Sequence, residues 1–405
     1  MIDPETLSTR LSEFVAHLFP YEHGHRQKAI TAFVAALIVQ QTCCQAGLAR
    51  AFDNFEAAAK RLSRLIHNQR LKDRRAADAI LQQSLRQLPA HGSVRLAIDW
   101  TIEADQHLLV VSLIIGRRAI PIYWRAYEAS VLKGRRTRYE RSVIKRVLTR
   151  LLKRVQPGRL IVSADRGFAD VDLCDLLDSF KIAYVLRVKC STKVYWAQTW
   201  CPLSQIGFVG NSRHRDLGRV LYCASSPHRL WLTLSRQRDK LGEWEVWYLL
   251  SNRKRSAALM ADEYAHRMGC DEGFRDAKWW LGFAKARISD IGAWSRMFVL
   301  VATTMLAIAS LSVTVLLSDK PQAPRLLRRV TSRRRGRSEL SWPSVQLDWI
   351  QRHVAATGPG PESLGWALAS RQTRSERPFT KCVLTSDVRG YLKFLETLAD
   401  MLAAH

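Results

Sequence analysis

Residues 5 to about 90 repeat apolar positions at three- and four-residue spacing, in AITAFVAALIVQQ and RAADAILQQSLRQL, and no strand pattern interrupts them. That spacing predicts helices. Between the two runs, QQTCCQAGLARAF has the small residues and central Gly of a turn joining two short helices, the outline of a helix-turn-helix. From residue 93 the period changes. VRLAIDWT, HLLVVSLIIG and RRAIPIYWRAY are short apolar runs bounded by polar residues or Gly, which predicts a strand meander. A basic helix, ERSVIKRVLTRLLKR, follows and is closed by Pro157 and Gly158. RLIVSAD, DVDLCDLLDSF and IAYVLRVK then read as strand, helix and strand. The order β-β-β-α-β-α-β implies an α/β domain, a mixed sheet with helices packed on it. Residues 190–252 are rich in Trp, short apolar runs and turn signals (VYWAQTW, GRVLYCAS, HRLWLTLS, EWEVWYLLS) and predict an all-β insertion.

One segment does not fit a simple soluble pattern. MFVLVATTMLAIASLSVTVLL, residues 297–317, has no charge and is long enough to span a bilayer. Its five Ser and Thr residues, and its isolation in an otherwise charged chain, point to a buried core helix. A membrane-associated basic protein is the rival reading. Lys and Arg number 63 against 36 Asp and Glu, for a formal charge of +27, a field that favours polyanions, chiefly nucleic acid. The eight cysteines form no CxxC pair, and no His stands at zinc-finger spacing, so reduced thiols in a cytoplasmic protein are expected. MIDPETLSTRL lacks the apolar core and cleavage site of a secretory signal.

Asp99 ends the run LAID and Asp165 ends LIVSAD. An acid at the polar end of an apolar strand either caps the next turn or projects into a site. Two such acids on one sheet fit the hard oxygen donors that Mg²⁺ takes. A further candidate lies in YAHRMGCDEGFRDAK, residues 264–278. At about 100° per residue, Tyr264, Asp271 and Lys278 share one helical stripe, with Arg267 beside it and Glu272 one residue off. The bland alternative is a solvated charged helix with i, i+4 pairs.

The order IDWT, then ADRGF, then a Tyr-x2-Arg-x3-Glu-x6-Lys helix resembles the DDE transposases of bacterial insertion sequences, in the group named for that signature. WYLLSNR before the third motif resembles that group too, and the likeness covers roughly residues 93 to 340. It implies a ribonuclease H-like catalytic domain interrupted by a β-rich insertion. The domains expected are then 1–90, helical and a candidate DNA-binding domain; 91–320, catalytic, interrupted by 190–252; and 321–405, a basic helical C-terminal region.

By the same resemblance, the catalytic and metal-binding acids are Asp99, Asp165 and either Asp271 or Glu272. The register that fits Tyr, Arg and Lys puts Asp271 where the family has Glu. Position therefore favours Asp271, and side-chain type favours Glu272. Tyr264, Arg267 and Lys278 are the implied DNA contacts, joined by Arg166 and Arg275. The activity implied is cleavage of transposon ends and strand transfer by in-line phosphodiester chemistry, with two Mg²⁺ ions, or Mn²⁺. Partners implied are double-stranded DNA, as transposon ends and target, and a second copy when two ends are synapsed. No membrane is expected, and the place in the cell is the cytoplasm, at the nucleoid. A catalytically impaired DNA-binding relic is the alternative that Asp271 raises. The insertion's Trp196, Trp200, Trp231, Trp244 and Trp247 read as sheet packing, with base stacking the use the resemblance suggests. The basic helix, with Arg135, Arg136, Arg138, Arg141, Lys145, Arg146 and Arg150, and the cluster Arg333, Arg334, Arg335 and Arg337 are expected on phosphate backbone.

Overall fold

A computed structural model describes residues 4–86, 92–115, 118–238 and 242–318. The C-terminal region expected at 321–405, with the Arg333–Arg337 cluster, lies outside the described residues. The chain divides into two units: Met1–Pro89, Ile120–Ala126 and Gly273–His405 in one, Ala90–Ala119 and Tyr127–Glu272 in the other.

The first unit is mainly helical: α1 (Pro4–Leu18), α2 (Gly24–Gln40), α3 (Gln45–Ala49), α4 (Phe55–His67), α5 (Asp73–Arg86) and α11 (Ile291–Ser318). α11 carries the uncharged segment. It packs on α2, α4 and α5, and 83% of its apolar window Ile291–Ile308 is buried. By length and composition alone it would also cross a membrane. Its buried hydroxyls are satisfied within the helix, Thr303 donating to the Val299 carbonyl and Thr304 to that of Leu300, each at 2.7 Å. Ser295 donates to Asp73 of α5 at 2.6 Å, a polar tie in the same core. Phe283, Trp294, Phe298 and Trp124 pack ring to ring there, with centroids 5.0–5.2 Å apart.

The stretch QQTCCQAGLARAF folds as the end of α2, a loop and the five-residue α3. Gly282 packs directly on that loop. Its φ is +69°, and a Cβ there would lie 2.6 Å from the Thr42 Cα, so only glycine fits.

The second unit is built on a mixed sheet. Its strands are β1 (Val94–Glu103), β2 (Gln106–Ile115), β4 (Leu160–Ala164), β5 (Ala183–Val188), β6 (Lys193–Trp196), β7 (Thr199–Pro202), β8 (His214–Tyr222), β9 (His228–Arg238) and β10 (Trp244–Ser251). β3 (Arg118–Glu128) contributes its middle, Ile120–Ala126, to the helical unit. The nine strands run in the order β2-β1-β4-β5-β10-β9-β8-β6-β7. β1, β4 and β5 are mutually parallel, while β2 is antiparallel to β1 and β10 to β5. The β-rich stretch thus extends the same sheet. α6 (Ala129–Leu132), α7 (Arg136–Leu151), α8 (Val171–Ser179) and α9 (Ala257–Ala265) complete the unit, and α10 (Met268–Arg275) begins in it.

One run of the β-rich stretch resolves further, and one helical expectation is corrected. VYWAQTW is two strands, β6 and β7, because Ala197 and Gln198 both take positive φ (49° and 65°) and close a two-residue hairpin. The YAHRMGCDEGFRDAK stretch is not one regular helix. α9 stops at Ala265, α10 starts at Met268, and a π-helical turn spans Asp276–Trp280.

Candidate active site

Parallel pairing of β1 with β4 sets two acids side by side. The ladder's last pair is Ile98 with Ala164, so Asp99 and Asp165 are the next residues on neighbouring strands. Asp165 does follow the end of its strand. Asp99 does not: β1 stays paired with β2 as far as Glu103, leaving Asp99 opposite Val110 in mid-strand. It therefore sits at the end of one ladder and inside another.

Strand alternation puts Arg95, Ala97 and Asp99 on one face of β1. α9 packs on that face. Ser256 caps the helix, its side chain accepting from the Leu259 amide. Met260, Ala261 and Tyr264 bury against Val185, Trp247 and Leu249. The Tyr264 ring meets Trp247 edge-on at 5.1 Å, and its hydroxyl donates to Asp165 Oδ1 at 3.2 Å. Burial, with the Asp165 charge, pushes that phenol's pKa up and keeps it protonated.

After α9 the chain winds more tightly. The Arg267 amide bonds to the Tyr264 carbonyl at 2.9 Å and the Cys270 amide to that of Arg267 at 2.8 Å. Three residues per turn bring Tyr264, Arg267 and Cys270 to the same side, and all three are buried. This is why the regular-helix stripe expected from sequence is altered. Arg267 Nη2 donates to Asp99 Oδ2 at 2.6 Å, and its Nη1 lies 3.8 Å from Asp271 Oδ1. Only 6% of Arg267 is exposed, and its buried Nε has no protein partner.

Asp99 also accepts from the Trp100 amide at 2.8 Å. Burial raises its carboxyl to about 6; Arg267 and the Trp100 amide oppose the rise, and the charges of Asp271 and Asp165 add to it. For Arg267, burial disfavours the charge, but Asp99 and its neighbours outweigh that and hold the guanidinium's pKa above its ordinary value. Beside them Cys270 is pushed up to about 12, by burial first and then by the charge of Asp99.

The structure thus brings together Asp99, Asp165, Tyr264, Arg267 and Asp271. Glu272 is half-buried on α10. Arg166 is exposed in the turn closed by the Phe168 amide on the Asp165 carbonyl. Arg275 and Lys278 fall in the helical unit, the first exposed and the second half-buried in the π-helical turn. Among the described residues no three His, Cys, Asp or Glu side chains gather as a metal-holding group. The carboxylates are the oxygen donors a divalent ion takes. As arranged they do not fit one, because Arg267 has Asp99.

Sequence reasoning missed the supports of this cluster. Buried Glu263 receives Arg95 Nε at 2.7 Å and Nη2 at 3.3 Å, with Arg255 at 3.5 Å. Arg187 pairs with Glu245 and lies over Trp247. The available signal was Arg95, a cation on the same face of β1 as Asp99.

Arg136 and Arg141 of the basic helix are engaged within the fold. Arg136 pairs with buried Glu140 at 3.2 Å and lies over Trp100, whose Nε1 donates to that same Glu140. Arg141 pairs with Asp170. Arg138, Lys145 and Arg146 are exposed on α7, as is Arg135 just before it.

No curated protein matches the chain. Residues 131–306 match the family model of the transposase DDE domain, a span that includes Asp165 and the Tyr264–Lys278 stretch and supports a DDE transposase.

Proposed function

We propose that the protein is the transposase of an insertion sequence, cutting its element's ends and joining them to target DNA by in-line phosphodiester chemistry. The observation that carries this reading is the meeting of Asp99, Asp165 and Asp271 around one arginine, at the carboxyl end of paired parallel strands. The strand order β2-β1-β4-β5 supports a ribonuclease H-like core. In this reading Asp271 is the third acid. The acids would hold Mg²⁺ or Mn²⁺ only with Arg267 displaced from Asp99, and double-stranded DNA is the substrate, handled by a dimer in the cytoplasm. Tyr264, Arg267, Lys278, Arg166 and Arg275 position phosphates.

The test is cleavage of duplexes carrying the element's ends, with Mg²⁺ present. Asp99→Ala, Asp165→Ala and Asp271→Ala should each abolish product. Parent-like cutting by the first two variants would overturn the assignment.

A second reading, a DNA-binding relic that no longer cuts, is favoured by Asp271 itself, one methylene shorter than the Glu of the signature. It predicts salt-sensitive binding without cleavage.

A further inference from the structure

We propose that Arg267 is a latch on the acid cluster: in the DNA-free chain it holds Asp99 and keeps divalent metal out, and a phosphate of bound DNA draws it away. This rests on the nuclease reading above. The guanidinium occupies the place of a cation. Its Nη2 is 2.6 Å from Asp99 Oδ2, and its Nη1 faces Asp271 at 3.8 Å. A metal ion and this nitrogen cannot both take that carboxylate oxygen.

The arginine is also incompletely used. Its Nε is buried without a protein partner. A guanidinium presents five donors in a planar fork suited to bidentate phosphate binding, so a phosphate can offer it more than Asp99 does.

The backbone around it is held independently. Glu263 is clamped to Arg95 of β1, and Tyr264 is packed on Trp247 and bonded to Asp165. Arg267 can therefore swing as a side chain while α9 stays on the sheet. A structural ion pair would need no such separation between the anchors and the pair itself. Two carboxylates, Asp165 and Asp271, also stand near Asp99, and Arg267 faces the second of them as well.

Mn²⁺ binding to the full-length protein, read by the loss of the free-ion paramagnetic resonance signal, tests the latch. Asp99→Asn in each background identifies binding at the acids. The parent alone should bind weakly, and Arg267→Gln should bind about tenfold more tightly. A short mixed-sequence duplex should tighten the parent and leave Arg267→Gln unchanged. Arg267→Lys, which keeps the charge but loses the fork, should fall between them and provides a second variant if the glutamine variant fails to fold. Equal Asp99-dependent affinity in parent and variants, with no response to duplex, would overturn the latch while leaving the acids as a metal site. Absence of Asp99-dependent binding in every form, with or without duplex, would overturn the metal-site reading and the latch with it.

Discussion

Arg95 and Glu263 are joined by two contacts, Nε to Oε1 at 2.7 Å and Nη2 to Oε2 at 3.3 Å, with the Glu263 side chain almost wholly buried. On β1 the arginine stands four residues before Asp99, and on α9 the glutamate stands four before Arg267. The Arg95–Glu263 pair thereby anchors α9 to β1 independently of the Arg267–Asp99 contact. Arg95→Ala leaves a buried carboxylate with, among the described residues, Arg255 at 3.5 Å, and should cost about 3 kcal/mol of stability. Glu263→Ala should cost less, since Arg95 is partly exposed and regains water. Urea unfolding of both variants, and of the exchanged pair Arg95→Glu with Glu263→Arg, checks the order; the exchange should recover part of the loss.

Asp99 gives stability a definite pH signature. Its folded carboxyl titrates near 6, above the ordinary aspartate value of 3.8. A raised acid favours the folded state most below its unfolded pKa, and that contribution is lost as pH rises through the folded one. Between about pH 3 and pH 7 the parent should lose about 3 kcal/mol relative to Asp99→Asn, about 2 kcal/mol of it between pH 4 and pH 6. Denaturant titrations of both proteins at several pH values measure that difference in slope.

Asp271 and Glu272 are separable by cleavage assay. Asp271 lies 3.8 Å from the arginine that binds Asp99. Asp271→Asn should lower the cleavage rate by about 100-fold or more, whereas Glu272→Gln should stay within a few-fold of the parent. The reverse pattern would transfer the third-acid role to Glu272.

Tyr264→Phe keeps the edge contact with Trp247 and removes the hydroxyl bonded to Asp165. The expected loss of stability is about 1 kcal/mol. Alkaline spectrophotometric titration of the folded parent should show this phenol resisting ionisation, since burial raises its pKa.

The placing of Asp99 and Asp165 on one sheet and the alternation of elements were legible because strand and helix periods are local properties of the chain. Asp99 and Asp165 stood at the ends of apolar runs, where neighbouring hydrophobic residues fix the strand around them. The supports were not legible. Arg95 stood on the Asp99 face of β1, but its partner Glu263 is 168 residues away, and the pairing forms only when α9 docks. The break after Ala265 was hidden too, for it contains no Pro. It accompanies the burial of Tyr264, Arg267 and Cys270 on one side, which a regular helix of 3.6 residues per turn would have fanned over about 120° of its circumference. Arg136 and Arg141 show the converse error: a run of cations looks uniform until the fold assigns Glu140 and Asp170 to two of them.

Cys270 lies in the turn that this tight winding produces, fully enclosed beside Asp99, with its thiol held protonated far above neutral pH. A thiol in that state is inert to alkylating reagents until the surrounding chain opens. The rate at which it is labelled therefore times the opening of the acid cluster, and the protein carries its own clock for that event at a natural residue.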